Sequence, residues 1–128
     1  MTSSSILQVL SLKPKVTIGI CARNSEKYIA EAVKSVAQQD FPHNLMEIIF
    51  VDDGSQDQTL DVISRLISQI DISAKVFSGP WMGLGKARNT IINNAEGDFI
   101  IWVDSDEILA TDFLKRQIAL IESHPTIP

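Results

Sequence analysis

The chain has 128 residues, of which 45% are hydrophobic and 21% are charged, and its formal net charge is -5. This length predicts one domain with a hydrophobic core, and the composition is not that of a disordered chain. A nucleic-acid-binding protein normally carries a basic face, so 11 Lys and Arg against 16 Asp and Glu argue against that class. No apolar run approaches the ~20 residues that a membrane-spanning helix needs.

The N-terminal segment and the single cysteine bear on domain limits and location. Residues 1–14 lack the basic start of a signal peptide, so we interpret them as a flexible lead-in and residues 15–128 as the domain. Cys21 cannot form an internal disulfide, which is typical of a reducing compartment. We therefore expect a cytoplasmic protein, with the cytoplasmic face of a membrane as the alternative for a longer chain.

Apolar segments that favour strands alternate with segments of helical periodicity. The predicted strands are residues 15–21, 46–51, 74–77 and 99–103. A helical pattern follows each strand, and Ser55 with Gln58 matches a capping box before the second helix, where Asp57 is another candidate cap. This alternation predicts an α/β fold, a Rossmann-like and mostly parallel sheet with helices on both faces and the strand order 3-2-1-4.

Polar clusters follow three of the predicted strands. They are Ala22-Arg23-Asn24, Asp52-Asp53-Gly54-Ser55 and Asp104-Ser105-Asp106. With the order 3-2-1-4 the chain reverses direction between the first and fourth strands, and ligands bind outside the carboxyl ends of the strands at such a point. We therefore expect the three clusters to surround one crevice.

The last of these clusters carries two carboxylates one residue apart, Asp104 and Asp106. Alternation along an extended backbone would point both in the same direction. Two such carboxylates repel each other unless a cation lies between them, and a hard divalent metal ion is the usual occupant. The spacing alone also allows the simpler interpretation that both reach water from a loop and that one caps the next helix.

Three motifs in this order resemble those of the family 2 glycosyltransferases, which have the GT-A fold. They are VDDGSQDQT at 51–59, GLGKARN at 83–89 and GDFIIWVDSDE at 97–107, and they follow the similar opening PKVTIGICARNSEKYIAEAVKSV. The resemblance covers residues 15–123 and implies the nucleotide-binding half of a GT-A domain. It implies metal-dependent transfer of a sugar from a UDP- or GDP-linked donor to the hydroxyl of an unknown acceptor, with Mn²⁺ or Mg²⁺ as cofactor.

The resemblance also implies roles for the acidic residues. Asp106 would bind the metal ion that bridges the two phosphates, and Asp104 would contact the ribose or the metal. Asp53, with Asp52 beside it, would accept a hydrogen bond from the nucleobase, and a carboxylate suits a base with an imide N–H such as uracil. The simpler interpretation is that Asp52 and Asp53 cap the turn that follows them.

Four further residues match positions that line the donor site in the family. Ala22 and Asn24 correspond to residues near the base and ribose, although the usual proline and aromatic residue are missing here. Lys86 and Arg88 lie at a helix start that favours an anion, and Arg88 corresponds to the arginine that faces the nucleotide. Lys86 can equally be a surface lysine, and we interpret Arg23 as a solvated charge and not as a ligand contact. We assign Trp81 and Trp102 to packing.

The resemblance implies a catalytic base downstream of the D-x-D motif, but only 22 residues follow Asp106. We therefore expect no catalytic base in this chain and interpret it as a donor-binding domain without its acceptor half. Its exposed sheet edge would then favour a homodimer.

Two other classes share parts of the pattern. A receiver-like phosphoacceptor domain has a similar length and an acidic pair like that of IIFVDDGS, but its acidic pair should end the first strand. A haloacid-type phosphatase has a strand like IWVDSDEI, but that strand normally comes first.

Overall fold

The computed structural model describes residues 13–123 and shows the predicted alternation of strands and helices. Its strands are β1 (Val16–Ala22), β2 (Met46–Asp53), β3 (Ser73–Gly79) and β4 (Phe99–Trp102). Its helices are α1 (Ile29–Ala37), α2 (Thr59–Ile67), α3 (Leu84–Asn94) and α4 (Phe113–Glu122), and a 3₁₀ turn at His43–Leu45 precedes β2. The predicted lead-in lies outside the described residues apart from its last two positions.

The four strands within residues 13–123 form one parallel sheet in the order β3-β2-β1-β4, which confirms the predicted topology. The register places Ala22 beside Asp52 and Asp53 beside Gly79, so the carboxyl ends of these strands meet at one edge. A receiver-like domain would instead need the flavodoxin-like order 2-1-3-4-5. In the described part β4 pairs only with β1, and homodimer formation through its other edge stays a prediction.

Helices cover both faces of the sheet, as predicted. On one face Ile18 and Phe50 pack in a core with Val33 of α1, Ile63 of α2 and Leu114 of α4. On the other face the strands contact α3, and the cluster contains Ile49, Val51, Ala87 and Ile91. Strands that are buried on both faces need continuous apolar runs, which explains why β1 and β2 lack a polar alternation. Between residues 13 and 123, no helix has the length and apolar character that crossing a bilayer requires.

Some predicted boundaries were wrong. Helix α3 begins at Leu84, two residues before Lys86, and α2 begins only at Thr59. The capping box at Ser55 is absent, because its hydroxyl accepts the Asn24 N–H at 2.9 Å. Asp57 caps α2 instead, since its Oδ1 accepts the Thr59 N–H at 2.9 Å.

A buried polar network lies at the amino end of the sheet, away from the predicted site. Glu47 Oε2 accepts hydrogen bonds from the Thr17 hydroxyl and the Glu96 N–H, both at 2.6 Å. The Gly97 N–H in turn donates to Thr17 Oγ1 at 3.0 Å. These contacts join β1 and β2 to the turn before β4, and they satisfy a carboxylate that the fold buries.

We expect Glu47→Ala to lower the free energy of unfolding by about 2–3 kcal/mol, because the buried Thr17 hydroxyl and the partly buried Glu96 N–H lose their acceptor. Glu96→Ala is the matched control, since its carboxylate is 63% exposed and forms only an ion pair with Lys75. That control should change the stability by less than about 0.5 kcal/mol. Urea denaturation of both variants checks this, and equal stabilities would show that the network contributes nothing.

Candidate functional site

Hydrogen bonds join the loop after β1 to the loop after β2. The Asn24 N–H donates to Ser55 Oγ at 2.9 Å, and the Gln56 N–H donates to Asn24 Oδ1 at 2.8 Å. Asn24 has a φ of 51°, a left-handed conformation that Asn adopts more readily than most residues. The side-chain oxygen of Asn24 therefore holds the neighbouring loop. Its side-chain nitrogen, Nδ2, is the group that remains for a ligand.

Ser25 extends this network to the Asp-Ser-Asp motif. It is only 6% exposed, and its N–H donates to Thr59 Oγ1 at 2.7 Å. Its hydroxyl lies 2.7 Å from the hydroxyl of Ser105, the middle residue of the motif. The loops after β1, β2 and β4 are thus tied together at the carboxyl edge of the sheet, as the predicted crevice requires.

Asp57 anchors the same network. Desolvation alone would raise the pKa of Asp57, but hydrogen bonds from the Thr59 hydroxyl, the Thr59 N–H and the Glu26 N–H outweigh it and lower the pKa. The carboxylate therefore stays ionised at neutral pH and remains an acceptor for both loops.

Asp53 is nearly buried and holds a distant loop. Its Oδ1 accepts the Met82 N–H at 2.8 Å, and its Oδ2 accepts the Gly83 N–H at 3.1 Å. The carboxylate thus fixes the loop between β3 and α3 and does not cap the turn that follows it. Each carboxylate oxygen can still accept another hydrogen bond.

Asp53 also lines a cavity of about 190 Å³, which we call the β1–β3 cavity. Its other walls are Cys21, Ala22, Arg23, Trp81 and Leu84. Mostly apolar walls with one carboxylate and one guanidinium are typical of a pocket for a flat, partly polar group.

A smaller cavity of about 30 Å³ adjoins this one, and Arg88 and Asp104 line it. It shares Cys21 and Leu84 with the β1–β3 cavity. The Arg88 guanidinium lies 5.4 Å from the centre of the Trp102 ring. Burial raises the pKa of the Cys21 thiol although nearby Arg88 opposes it, so the thiol is neutral at physiological pH. The structure therefore places Asp53, Arg88 and Asp104 in the walls of two adjoining cavities.

The Asp-Ser-Asp motif forms a turn and does not continue the strand. Strand β4 ends at Trp102, the Glu107 N–H donates to the Asp104 carbonyl at 3.0 Å, and Glu107 Oε1 accepts the Asp104 N–H at 3.2 Å. The prediction that β4 extends through Val103 was wrong, and so was the use of strand alternation to orient the two carboxylates, because the turn begins at Asp104 and includes Asp106.

The donor set of this turn fits a hard metal ion that also binds phosphate. Asp104 and Asp106 are exposed, and within residues 13–123 neither carboxylate has a hydrogen-bond donor or a cation as partner. Nowhere within residues 13–123 do three or more His, Cys, Asp or Glu side chains form a cluster suited to a metal ion. Mg²⁺ is commonly held by one or two carboxylates together with waters and substrate phosphates.

Two other predicted site residues, Lys86 and Asp52, line a third cavity of about 300 Å³ between α3 and the ends of β2 and β3. Asp53 lines this cavity as well as the β1–β3 cavity. Asp52 Oδ1 is buried and has no hydrogen-bond partner in the described part of the chain. Asp106 lines none of the cavities described here, although it follows Asp104 by two positions.

Trp81 was missed by the sequence analysis. It is 64% exposed, so its assignment to packing was wrong, and the Arg23 guanidinium lies 4.9 Å from its ring centre. Trp102 does pack, because its ring covers Gly19, where an added Cβ would lie 2.8 Å from it. The signal for Trp81 was its position between Pro80 and two glycines at the carboxyl end of a strand.

Comparison with known proteins gives consistent matches. Residues 17–127 match the family described as Glycosyl transferase family 2. The poly(ribitol-phosphate) beta-N-acetylglucosaminyltransferase TarS of Staphylococcus aureus is 37% identical over 110 residues, which are 86% of this chain and 19% of that protein. A poly(ribitol-phosphate) beta-glucosyltransferase of Bacillus spizizenii is 37% identical over 106 residues, 80% of this chain and 16% of that protein. The chain thus spans less than a fifth of the length of either relative.

Solved structures agree with the sequence matches. Staphylococcus aureus TarS 1–349 in complex with UDP superposes with a TM-score of 0.78 and 38% identity, over 87% of this chain and 33% of that one. The mannosyltransferase PcManGT of Pyrobaculum calidifontis, in complex with GDP-Man and Mn²⁺, gives a TM-score of 0.81 and 25% identity, over 85% and 32% of the two chains. The receiver-like and phosphatase alternatives find no support among these matches. This chain belongs to glycosyltransferase family 2.

Proposed function

We propose that this chain binds the donor of a glycosyltransferase reaction, a UDP- or GDP-linked sugar, in the crevice at the carboxyl ends of β1, β2 and β4. The observation that carries the proposal is that Asp53, Arg88 and Asp104 line adjoining cavities with Cys21 and Leu84 in common. In this proposal the Asp53 carboxylate is placed to bind the base, the Arg88 guanidinium the diphosphate, and the Asp104 carboxylate the metal ion.

Asp53 recognises the edge of the base in this proposal. Its two oxygens are held by backbone donors at 2.8 and 3.1 Å and are therefore fixed in direction. A fixed acceptor favours a base with an imide or amide N–H, as in uracil or guanine, over adenine, which presents a ring acceptor there. Ala22 lies in the same wall, and the small side chain leaves room for the ring. Asn24, which follows Arg23, and Asp52, which precedes Asp53, complete the predicted base and ribose contacts in this proposal.

Arg88 and the start of α3 bind the diphosphate. The Arg88 guanidinium is held over Trp102 and faces a cavity that contains Asp104. Gly83, with a φ of 95°, precedes the first turn of α3, so the free N–H groups of that turn add a partial positive charge. Lys86, on the same turn, contributes charge from the side of the third cavity.

Asp104 and Asp106 are the pair of carboxylates that would hold Mn²⁺ or Mg²⁺. When bound, such an ion acts as a Lewis acid on the negative charge that develops on the departing nucleoside diphosphate. The chain's own contribution is to hold this pair of carboxylates at a fixed turn, through Glu107 and the Ser25–Ser105 hydrogen bond. The complex of the mannosyltransferase relative with GDP-Man and Mn²⁺ supports this assignment.

We assign no catalytic base among residues 13–123. The acidic residues nearest the motif are Glu107, which closes the turn, and Asp112, which pairs with Arg116 at 3.2 Å. We therefore propose that residues 15–128 form the donor-binding part of the enzyme and that the acceptor hydroxyl is activated by another segment. A cytoplasmic location remains part of the same proposal.

Calorimetric titration of the chain with UDP, GDP and ADP, each with and without Mn²⁺, tests the proposal. We expect UDP or GDP to bind in the presence of Mn²⁺ and to lose at least about tenfold in affinity without it, a loss typical of damaged metal sites. ADP should bind more weakly, because adenine has a ring acceptor in place of the imide or amide N–H that Asp53 accepts in this proposal. If neither UDP nor GDP binds, or if all three bind equally with and without metal, the donor site is refuted.

A further inference from the structure

Trp81 projects a large aromatic ring into solvent from a backbone that is held in place. The residue is 64% exposed. Its backbone lies against Gly54, where an added Cβ would be 2.4 Å from the Trp81 nitrogen, and the next residue, Met82, donates its N–H to Asp53. Because the ring also lines a cavity, it is available to a ligand that enters there.

The surroundings of this ring define the chemistry that it can bind. Trp81 and Asp53 line the same β1–β3 cavity of about 190 Å³. An aromatic face next to a fixed carboxylate suits a planar heterocycle that stacks on the ring and donates an N–H to the acid. The loop after β1, residues 23–28, contains the aromatic residue Tyr28, but Tyr28 does not line the β1–β3 cavity. Among the residues that line this cavity, the aromatic side chain is Trp81, from the loop between β3 and α3.

Arg23 occupies a face of that ring in the structure. Its guanidinium lies 4.9 Å from the ring centre, which is a direct cation–π contact. No base fits between two groups at this separation, so a base that stacks on this face must displace Arg23. Arg23 lines the β1–β3 cavity, and this cavity shares Cys21 and Leu84 with the cavity of Arg88 and Asp104, to which the proposed function assigns the diphosphate.

We propose that Trp81 is the stacking platform for the donor nucleobase and that Arg23 moves from the Trp81 ring to the diphosphate when the nucleotide binds. This inference rests on the proposed function and adds two residues to it. Trp81 acts on the base alone, whereas Arg23 acts on the charge of the phosphates.

The two roles predict different responses to inorganic pyrophosphate, which carries the charge of the donor without its base. In the presence of Mn²⁺, Trp81→Ala should weaken UDP or GDP binding about tenfold, within the range for base–aromatic stacking, and should leave pyrophosphate binding unchanged. Trp81→Phe should keep most of the nucleotide affinity. Arg23→Ala should weaken both ligands by a similar factor.

Calorimetry on the 128-residue chain measures these affinities, and circular dichroism verifies that each variant is folded. Tyr28→Ala is the matched control, since Tyr28 is 57% exposed but does not line the β1–β3 cavity. Unchanged nucleotide affinity in Trp81→Ala, or an equal loss for nucleotide and pyrophosphate, would overturn the platform. If the Arg23→Ala variant binds pyrophosphate with the affinity of the wild type, the proposal that Arg23 moves to the diphosphate is refuted. A wild-type chain that binds no nucleotide would remove this inference together with the proposed function.

Discussion

Replacing Asp106 by Asn is expected to abolish the Mn²⁺-dependent part of UDP or GDP affinity while leaving the fold intact. The side chain is exposed and has no partner within residues 13–123, so its loss removes no internal contact. An amide is a poorer ligand than a carboxylate for a hard divalent ion. Calorimetric titration with and without Mn²⁺ should show that the wild-type gain of at least about tenfold disappears.

Asp98→Asn is the matched control for this experiment. Asp98 is also exposed, and it pairs with Lys13 at 3.3 Å at the amino end of β4. It removes the same charge, so any general electrostatic effect on an anionic ligand would appear in both variants. Equal Mn²⁺-dependent gains in wild type and Asp106→Asn would contradict the metal assignment.

Gly54→Ala is expected to lower the free energy of unfolding by more than about 2 kcal/mol. Gly54 has a φ of 71°, and an added Cβ would lie 2.4 Å from the nitrogen and 2.8 Å from the Cα of Trp81. Backbone atoms at that distance cannot move aside as a flexible side chain can. The loop between β3 and α3 must therefore shift away from Asp53, and nucleotide affinity should fall as well.

Gly85→Ala provides the comparison, since nothing lies within 4 Å of an added Cβ there. It lies in the first turn of α3, where Ala instead of Gly should be neutral or stabilising by about 0.5–1 kcal/mol. Urea denaturation and calorimetry of both variants measure the two effects. A Gly54→Ala chain as stable as Gly85→Ala would show that the close approach of Trp81 does not constrain the loop.

The sheet was predictable from the sequence because its information is local. The largely apolar segments 46–51 and 99–103 predicted strands that are buried on both faces, and Pro42 and Gly97 lie just before them. The observed strands are Met46–Asp53 and Phe99–Trp102. Right-handed crossovers then leave few topologies, and the expected order 3-2-1-4 is the one observed. Placing the polar clusters at one edge followed from the common direction of parallel strands.

The partners of the site residues were not predictable, because they are set by contacts between distant segments. Asp53 binds backbone N–H groups 29 and 30 positions later, and Ser25 contacts a hydroxyl 80 positions later. Nearly every residue has a backbone N–H, so the sequence does not show which of them will donate to a given side chain. The capping box at Ser55 failed for the same reason, since the Asn24 N–H from another loop takes its hydroxyl. Tryptophan is a residue type that often packs in a core. Only the residues next to Trp81 in the sequence, Pro80 and the glycines around it, indicate a loop in which the side chain faces solvent.

A crystal structure of the chain with Mn²⁺ and either UDP or GDP, whichever binds, tests the central claim most directly. We predict that the base lies between Trp81 and Asp53, that the diphosphate lies beside Arg88, and that the metal ion contacts Asp106. A nucleotide found elsewhere, with neither Asp53 nor Asp106 in contact with it or its metal ion, would contradict the claim that the three polar clusters form one donor site.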